Sequence, residues 1–360
     1  MDTTPPVTPE EKLDRAVQAA FGSAARIEKV IDLAGDASTR RYQRVLLRGG
    51  QAPATTVVMW LADRGVAMSS DELAVFPEPP RELPFVNVHR FLARIGIDVP
   101  AIYLDRSDEG LLLLEDVGDA ALRDVVERAT PDRVRTLYRA AIEQLVTLQL
   151  EGIRQADPSC IAFGQQFDAR LYLWEFEHFL EYGVEGRLGR ALKPAVRALL
   201  QEHFQAIAER LDAEPKFLAH RDYHSWNLFV QAGDRICVLD FQDALLATPA
   251  YDLATLLGDR DTPTKVTPDL EEALLEDFLA AWQRQGGPPL DPTRFRETYL
   301  LCALQKALKV VGRFYFLAVK KNKPHYLRYI PDTTRQVLRL LPRFADHRPM
   351  ATVLRELLPE

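Results

Sequence analysis

The spacing of apolar residues along the chain changes near residue 117 from that of strands to that of helices. This change limits the available folds more than any other feature. Before that point, short β-branched or alternating runs are separated by turn-forming segments, which predicts an antiparallel sheet. These runs lie at residues 26–33, 40–47 and 55–61, with two more strands predicted at 101–104 and 111–115. From residue 121 onward, apolar residues repeat at helical spacing. The long helical segments lie at 132–150, 167–182, 194–211, 269–284 and 293–319. The pattern predicts an α+β protein with a β-rich lobe at 1–117 and a mostly helical lobe at 118–360.

Charge and composition exclude several classes of protein. The 360 residues carry a formal net charge of −7, which makes the chain a poor general partner for nucleic acid. No apolar run approaches the roughly 18 residues that a membrane span requires, and the first residues show no export pattern. Three widely spaced cysteines form no metal-binding or disulfide framework. We therefore expect a cytoplasmic protein, with a monomer favoured and no nucleic-acid or membrane partner.

A polar loop within residues 217–241 carries the strongest chemical signal. It contains His220 and Asp222, then Asn227, and an apolar strand that ends at Asp240. Phosphoryl transfer needs a carboxylate that orients the attacking hydroxyl and accepts its proton, and oxygen ligands for the divalent ions on the triphosphate. This spacing is typical of kinase catalytic loops. It predicts Asp222 as the catalytic base and Asn227 and Asp240 as magnesium ligands.

Two other interpretations of this loop compete with phosphoryl transfer. A helix-capping loop could use the same Asp and Asn side chains to satisfy backbone groups, although the strand that ends in aspartate favours chemistry. A zinc site at His220 and His224 would need a helix, because histidines four residues apart converge on one metal only there. We expect His220 to be a buried histidine that braces the catalytic loop, and we give His224 no role.

The chain resembles the aminoglycoside phosphotransferase/choline kinase superfamily over about residues 10–345. The resemblance rests on the loop at 220–227, the strand that ends at Asp240, and the Ala-Tyr-Asp sequence that ends at Asp252. It implies a two-lobed protein-kinase-like fold, with a small antiparallel β-sheet lobe for the nucleotide and a larger helical lobe for catalysis and the acceptor. It also implies ATP and Mg²⁺ as cofactors, and a supporting role for Asp252, which would hold the catalytic loop.

Five separated segments are similar to the bacterial N-acetylmuramate/N-acetylglucosamine anomeric kinases of cell-wall recycling. They are residues 35–42, 220–227, 238–244, 304–312 and 326–327. This likeness implies transfer of the γ-phosphate of ATP to the C1 hydroxyl of N-acetylmuramate or N-acetylglucosamine. The first alternative is a kinase of the same fold that acts on an aminoglycoside, choline or another amino sugar. The second is a non-catalytic nucleotide-binding scaffold.

The nucleotide-binding half departs from the wider kinase pattern. Its first turn has a single glycine, so backbone amides and the hydroxyls of Ser38 and Thr39 would have to cradle phosphate. An ordinary polar hairpin turn is the alternative. Met59 stands about where the third strand of a kinase carries its phosphate-pairing lysine. Arg41 or Arg44 would then supply the positive charge, since arginine suits bidentate phosphate contacts.

The segment that leads out of the β-rich lobe is the predicted adenine hinge. Backbone groups around Glu115 and Val117 would contact the base, and side-chain identity does not reveal such contacts. The missing lysine and glycines are the reason for the scaffold alternative, whereas the intact set of aspartate, asparagine and aspartate argues for catalysis.

Basic residues on a late helix predict an acceptor-binding face. Lys306 and Lys309 share one side of this helix and could meet an anionic acceptor, with a solvated basic face as the alternative. Trp174 and Glu175 on an earlier helix could stack on a sugar and bind its hydroxyls, although such aromatic residues more often belong to a core. Asp243, three residues after the metal aspartate, could contact magnesium or the acceptor.

Overall fold

The computed structural model describes residues 8–33, 40–61, 82–260 and 264–358. These residues divide into two units. The first is made of Val99–Asp119 and the described part of Met1–Leu83, and the second of Pro84–Asp98 and the described part of Ala120–Glu360. The sequence had placed residues 84–98 in the first lobe. They belong to the larger unit, because Phe85 stacks on Phe241 with ring centroids 4.9 Å apart and the Val238 N–H donates to the Asp98 carbonyl.

The smaller unit begins with helix α1 (Pro9–Phe21). The Thr8 hydroxyl accepts the Glu11 N–H and the Glu11 carboxylate accepts the Thr8 N–H, a reciprocal cap that fixes where the helix starts. Apolar residues of α1, among them Leu13 and Val17, then pack in one cluster with Val45 of the sheet. Burial of this helical face against the sheet stabilises the unit.

A five-stranded antiparallel sheet forms the rest of the smaller unit, in the order β1-β2-β3-β5-β4. The strands are β1 (Arg26–Leu33), β2 (Arg41–Arg48), β3 (Thr55–Trp60), β4 (Ile102–Arg106) and β5 (Leu111–Glu115). The first three form the predicted meander. The fifth strand lies between the third and the fourth, so all four of its leucines are buried in the middle of the sheet.

Helices dominate the larger unit, as the sequence predicted. They are α2 (Pro84–Arg94), α3 (Leu122–Glu127), α4 (Pro131–Arg154), α5 (Ala169–His178), α6 (Pro194–Asp212), α7 (Ala250–Leu257), α8 (Pro268–Arg284), α9 (Pro292–Lys320), α10 (Ile330–Leu340) and α11 (Arg348–Leu357). None of the helices in the described part of the chain combines the length and the apolarity needed to cross a bilayer.

A short π-helix, Phe179–Gly186, continues from α5 and packs closely on α9. Gly312 of α9 makes this approach possible. A Cβ atom at residue 312 would lie 2.7 Å from the Phe179 Cα and 3.0 Å from the His178 carbonyl oxygen. Two helix backbones thus meet without an intervening side chain, and any larger residue would push them apart.

Two small antiparallel hairpins interrupt the helices and carry the candidate site. The strand pairs are β6 (Phe217–Ala219) with β9 (Leu245–Ala247) and β7 (Leu228–Val230) with β8 (Ile236–Val238). The sequence predicted two strands within residues 217–241, and the structure has three there, with β9 just after them. Runs of three residues are too short to show a period, so alternation could not reveal them.

Candidate active site

The register of the β7–β8 hairpin brings Asn227 next to Asp240. Leu228 pairs with Val238, and one step outward the Leu239 N–H donates to the Asn227 carbonyl at 2.8 Å. Asp240 is the next residue. Pairing of β7 with β8 thus makes neighbours of Asn227 and Asp240, which are 13 positions apart in the sequence.

Asp252 of α7 holds the first part of the catalytic loop through the backbone. Its carboxylate accepts the N–H groups of His220 at 2.6 Å and Arg221 at 3.0 Å. The side chain is completely buried, and burial raises its pKa to about 6, against the opposing effects of His220 and these hydrogen bonds. Arg221 has φ +79°, a left-handed conformation that a non-glycine residue adopts only when its surroundings enforce it.

His220 links the catalytic loop to the strand that precedes Asp240. It is 1% exposed, its Nε2–H donates to the Leu239 carbonyl at 2.8 Å, and its Nδ1 accepts the Asp222 N–H at 3.3 Å. Both ring nitrogens are thus occupied by backbone groups. His220 acts on the geometry of the loop rather than on a ligand.

Asp222 presents a carboxylate that is partly open to solvent. Its side chain is 40% exposed, and Lys306 of α9 places its Nζ 3.2 Å from Oδ1. Burial of the group alone would raise the pKa of Asp222, but Lys306 and Lys309 outweigh this effect and hold the pKa well below its usual range. The carboxylate is therefore ionised at neutral pH, as a group that must accept a proton requires.

The oxygen atoms around Asp240 fit a divalent cation. Asn227 donates its Nδ2–H to the Asp222 carbonyl at 3.0 Å, whereas its Oδ1 accepts no hydrogen bond from the described residues. Asp240 is exposed and has φ +60°, and its Oδ1 accepts from Gln242 Nε2 at 2.9 Å. Burial, Asp222 and Asp240 raise the pKa of the nearby Asp243, with Arg221 opposing them. A cation would relieve this repulsion between carboxylates.

The described part of the chain contains no group of three or more His, Cys, Asp or Glu residues that could hold a metal by itself. Asn227 and Asp240 supply only part of the oxygen ligands that Mg²⁺ requires. Such a site is typical of a cation that is bound together with nucleotide phosphates and water.

The two arginines that were predicted to contact phosphate, Arg41 and Arg44, both lie beside carboxylates. Arg44 lies between two carboxylates, with Nε 2.7 Å from Asp116 Oδ2 and Nη2 2.9 Å from Asp119 Oδ1. Arg41 forms an exposed ion pair with Asp32 at 2.7 Å. Both candidate arginines therefore already have acidic partners, so a phosphate would have to compete with these acids.

The other residues that were predicted to bind the nucleotide differ in their surroundings. Met59 is fully buried, on the face of β3 opposite Val58 and therefore opposite the cluster that α1 covers. Glu115 ends β5, where its N–H donates to the Ala101 carbonyl at 2.8 Å and its carboxylate accepts the Ala101 N–H at 3.0 Å. Val117 is half-buried in the segment that follows. Ser38 and Thr39 lie outside the described residues.

The profile of the phosphotransferase enzyme family matches residues 29–295, nearly three quarters of the sequence. The chain belongs to this family. An N-acetylmuramate/N-acetylglucosamine kinase of Pseudomonas putida is 30% identical over 289 residues, which cover 78% of this chain and 79% of that protein. A kinase of the same name from Caulobacter vibrioides is 30% identical over 88% of this chain and 89% of its own length.

Solved structures of kinases share the fold. The choline kinase LicA from Streptococcus pneumoniae aligns with a TM-score of 0.58 and 14% identity, over 91% of this chain and 98% of that chain. ADP-bound aminoglycoside phosphotransferase APH(2'')-Ib aligns with a TM-score of 0.55 and 14% identity, over 91% and 96%. These alignments confirm the predicted α+β fold of the protein-kinase-like type.

Not all of the predicted acceptor-binding residues are accessible to a ligand. Glu175 is completely buried, with Oε1 2.5 Å from Lys309 Nζ and Oε2 accepting from Gln305 Nε2 at 2.6 Å. This burial argues against direct contact between Glu175 and sugar hydroxyls. Trp174 stacks on His178 and lines an open cavity of about 430 Å³ between α5 and α6, whose lining contains no residue of the catalytic loop.

Sequence reasoning missed Asp259, which holds the second part of the catalytic loop. One of its carboxylate oxygens accepts both the N–H of Ser225, at 2.9 Å, and the Ser225 hydroxyl. Asp259 lies two residues past the end of α7 at Leu257, and no local signal marks its contact with a residue 34 positions away. Asp252 in the first turn of α7 and Asp259 just after the helix thus brace successive parts of one loop.

Proposed function

We propose that this protein is a cytoplasmic ATP- and Mg²⁺-dependent kinase that phosphorylates the anomeric hydroxyl of N-acetylmuramate, N-acetylglucosamine or both. The observation that carries the proposal is the cluster of Asp222, Asn227 and Asp240 in a phosphotransferase fold. One carboxylate is partly exposed and ionised, and beside it lie an amide oxygen and an exposed carboxylate. This combination can orient a hydroxyl next to a metal-bound triphosphate.

Each member of the cluster has a distinct role in this proposal. Asp222 accepts a hydrogen bond from the C1 hydroxyl and takes its proton as the bond from the C1 oxygen to the γ-phosphorus forms and the bond from that phosphorus to ADP breaks. Asn227 and Asp240 would hold Mg²⁺, which supplies the positive charge that stabilises the phosphates during transfer. Asp243 would support the same cation or the acceptor. His220, Asp252 and Asp259 keep the loop in shape.

The choice of sugar rests on relatives rather than on a cavity. The relatives that match most of this chain are named N-acetylmuramate/N-acetylglucosamine kinases. In the smaller unit, Arg41 is the phosphate ligand that we favour, because its exposed ion pair with Asp32 is weak, whereas Nε, Nη1 and Nη2 of Arg44 all donate to Asp116 and Asp119. Backbone groups near Glu115 and Val117 would contact the adenine.

A measurement of ADP release tests the function. Purified protein is mixed with ATP and Mg²⁺ and then with N-acetylmuramate, N-acetylglucosamine, choline or kanamycin, and phosphorus NMR identifies the modified hydroxyl. We expect turnover with one or both amino sugars and a phosphate on C1. Turnover with only choline or kanamycin would contradict the choice of acceptor. Binding of ATP without turnover on any of the four would favour the scaffold alternative.

The region around β8 offers a matched pair of variants. Asp240→Asn removes a carboxylate at one end of this strand, whereas Asp234→Asn changes an aspartate at the other end with nearly the same φ, +62° against +60°. Asp234 is paired with Arg133, and a partly exposed ion pair contributes little stability. We expect Asp240→Asn to lose at least about 100-fold in kcat, since it removes a metal ligand. Asp234→Asn should remain near wild type, and equal loss in both variants would contradict the assignment.

A further inference from the structure

Lys306 reaches the catalytic loop from a helix that is distant in the sequence. Its Nζ lies 3.2 Å from Asp222 Oδ1 and 3.3 Å from the Arg221 carbonyl oxygen. The side chain is 12% exposed and passes over the Tyr251 ring, 5.4 Å from its centroid. A lysine in so enclosed a place needs a fixed acidic partner, because an unpaired buried charge is strongly disfavoured.

The loop is therefore held on two opposite sides. Asp252 accepts the N–H groups of His220 and Arg221, while Lys306 donates to the Arg221 carbonyl and to the Asp222 carboxylate. The residue between these anchors, Arg221, has the left-handed backbone noted above. With the carbonyl and one carboxylate oxygen fixed by the same ammonium group, the Asp222 side chain has little freedom to rotate.

The second carboxylate oxygen of Asp222 is available to an acceptor hydroxyl. Within the described ranges, Asp222 Oδ2 has no hydrogen-bond partner, and the side chain is 40% exposed. An acceptor hydroxyl can approach this oxygen while Lys306 keeps the first one occupied. The neighbouring cation is also committed, since Lys309 contacts the buried Glu175 at 2.5 Å. Lys306 and Lys309 are thus each paired with a carboxylate of the chain itself rather than directed at an outside anion.

We propose that Lys306 is a positioning residue for Asp222, and not a binding residue for the acceptor. This inference rests on the proposed function, because it takes Asp222 to be the base of that reaction. It revises the expectation from the sequence that Lys306 meets an anionic group on the sugar. It also explains why an ammonium group stands beside the reacting carboxylate: to orient it toward the hydroxyl.

N-acetylmuramate and N-acetylglucosamine distinguish the two roles, since only the first carries a carboxylate. Steady-state kinetics are measured for wild type, Lys306→Met and Lys306→Arg with each sugar, and for ATP hydrolysis without sugar. The control is Lys320→Met, at the exposed end of the same helix. We expect Lys306→Met to lower kcat about 100-fold with both sugars, as misplacement of a reacting group does. The KM values should change by less than about threefold, and Lys306→Arg, which keeps the charge and N–H donors, should recover at least tenfold of the loss.

The outcomes separate the inference from the function on which it rests. A rise in KM confined to N-acetylmuramate, an unchanged kcat, or an arginine variant that folds and is no better than methionine would each overturn the positioning role. If wild type phosphorylated neither sugar, the proposed function would fail. Hydrolysis of ATP by water would then decide the role of Lys306, because a base that orients water needs the same support. Equal melting temperatures of the variants show that a loss is not due to unfolding, and Lys306→Arg provides the test if Lys306→Met does not fold.

Discussion

The contact between α9 and the π-helix gives a prediction whose sign depends on two opposing effects. Gly312→Ala adds one methyl group within α9. Replacing a glycine inside a helix by alanine contributes about 1 kcal/mol of stability through helix propensity. The new Cβ would, however, lie 2.7 Å from the Phe179 Cα and 3.0 Å from both the Phe179 nitrogen and the His178 oxygen. These are backbone atoms that cannot rotate away, so the cost is at the upper end of the overpacking range, about 3 kcal/mol.

The expected result is therefore a net loss of about 2 kcal/mol, or a melting temperature lower by about 3 °C, because an unfolding entropy of about 2.1 cal/mol/K per residue applies to 360 residues. Differential scanning calorimetry measures it directly. Gly164→Ala is the control, since no atom lies within 4 Å of a Cβ added there. It should leave the melting temperature nearly unchanged. A Gly312→Ala protein that is as stable as wild type would show that the two helices are not in backbone contact.

Two further predictions concern a buried and a half-buried titratable group. Asp252→Ala leaves the His220 and Arg221 N–H groups without an acceptor, so it should cost about 2 kcal/mol in urea unfolding and lower kcat; an unchanged kcat would contradict the role of Asp252 in holding the loop. Burial and His203, against Asp346, hold the pKa of His347 below its usual 6.5, so on acidification the unfolded state binds the proton first. The contribution of His347 to stability should therefore fall as the pH drops below about 6.5. Between pH 7.5 and 5.5 the unfolding free energy of wild type should change less favourably than that of His347→Gln, and an equal change in the two proteins would refute this.

The sequence was sufficient where a signal is local. The spacing around Asp222 alone indicates a kinase loop. A threonine followed by a proline is likewise a local signal for the helix start that the structure shows at α1. Strand order was not accessible, because nothing local says that β5 lies between β3 and β4. Side-chain partners were equally hidden. The residues of the Lys306–Asp222 pair are 84 positions apart, and those of the Lys309–Glu175 pair even further.

Burial explains why some candidate residues do not have the surroundings that the sequence suggested. Glu175 looked like a polar group on a helix surface, yet it has no exposed area, because α9 supplies a cation and an amide to its two oxygens. A charged residue is rarely buried without such a pair, and the pair exists only after folding. Met59 stood at the position of a phosphate ligand, but its apolar side chain is fully buried and offers no charge to a phosphate.

The hairpin of β7 and β8 has strands of only three residues, and an isolated two-stranded hairpin is marginal in water. Its outer edges are therefore tied to other segments: the Val230 N–H donates to the Ala120 carbonyl and the Val238 N–H to the Asp98 carbonyl, both at 2.8 Å. These two amide protons are hydrogen-bonded to distant parts of the chain rather than to the partner strand of the hairpin. Their exchange with deuterium would follow the opening of the whole helical unit, not the fraying of a loop.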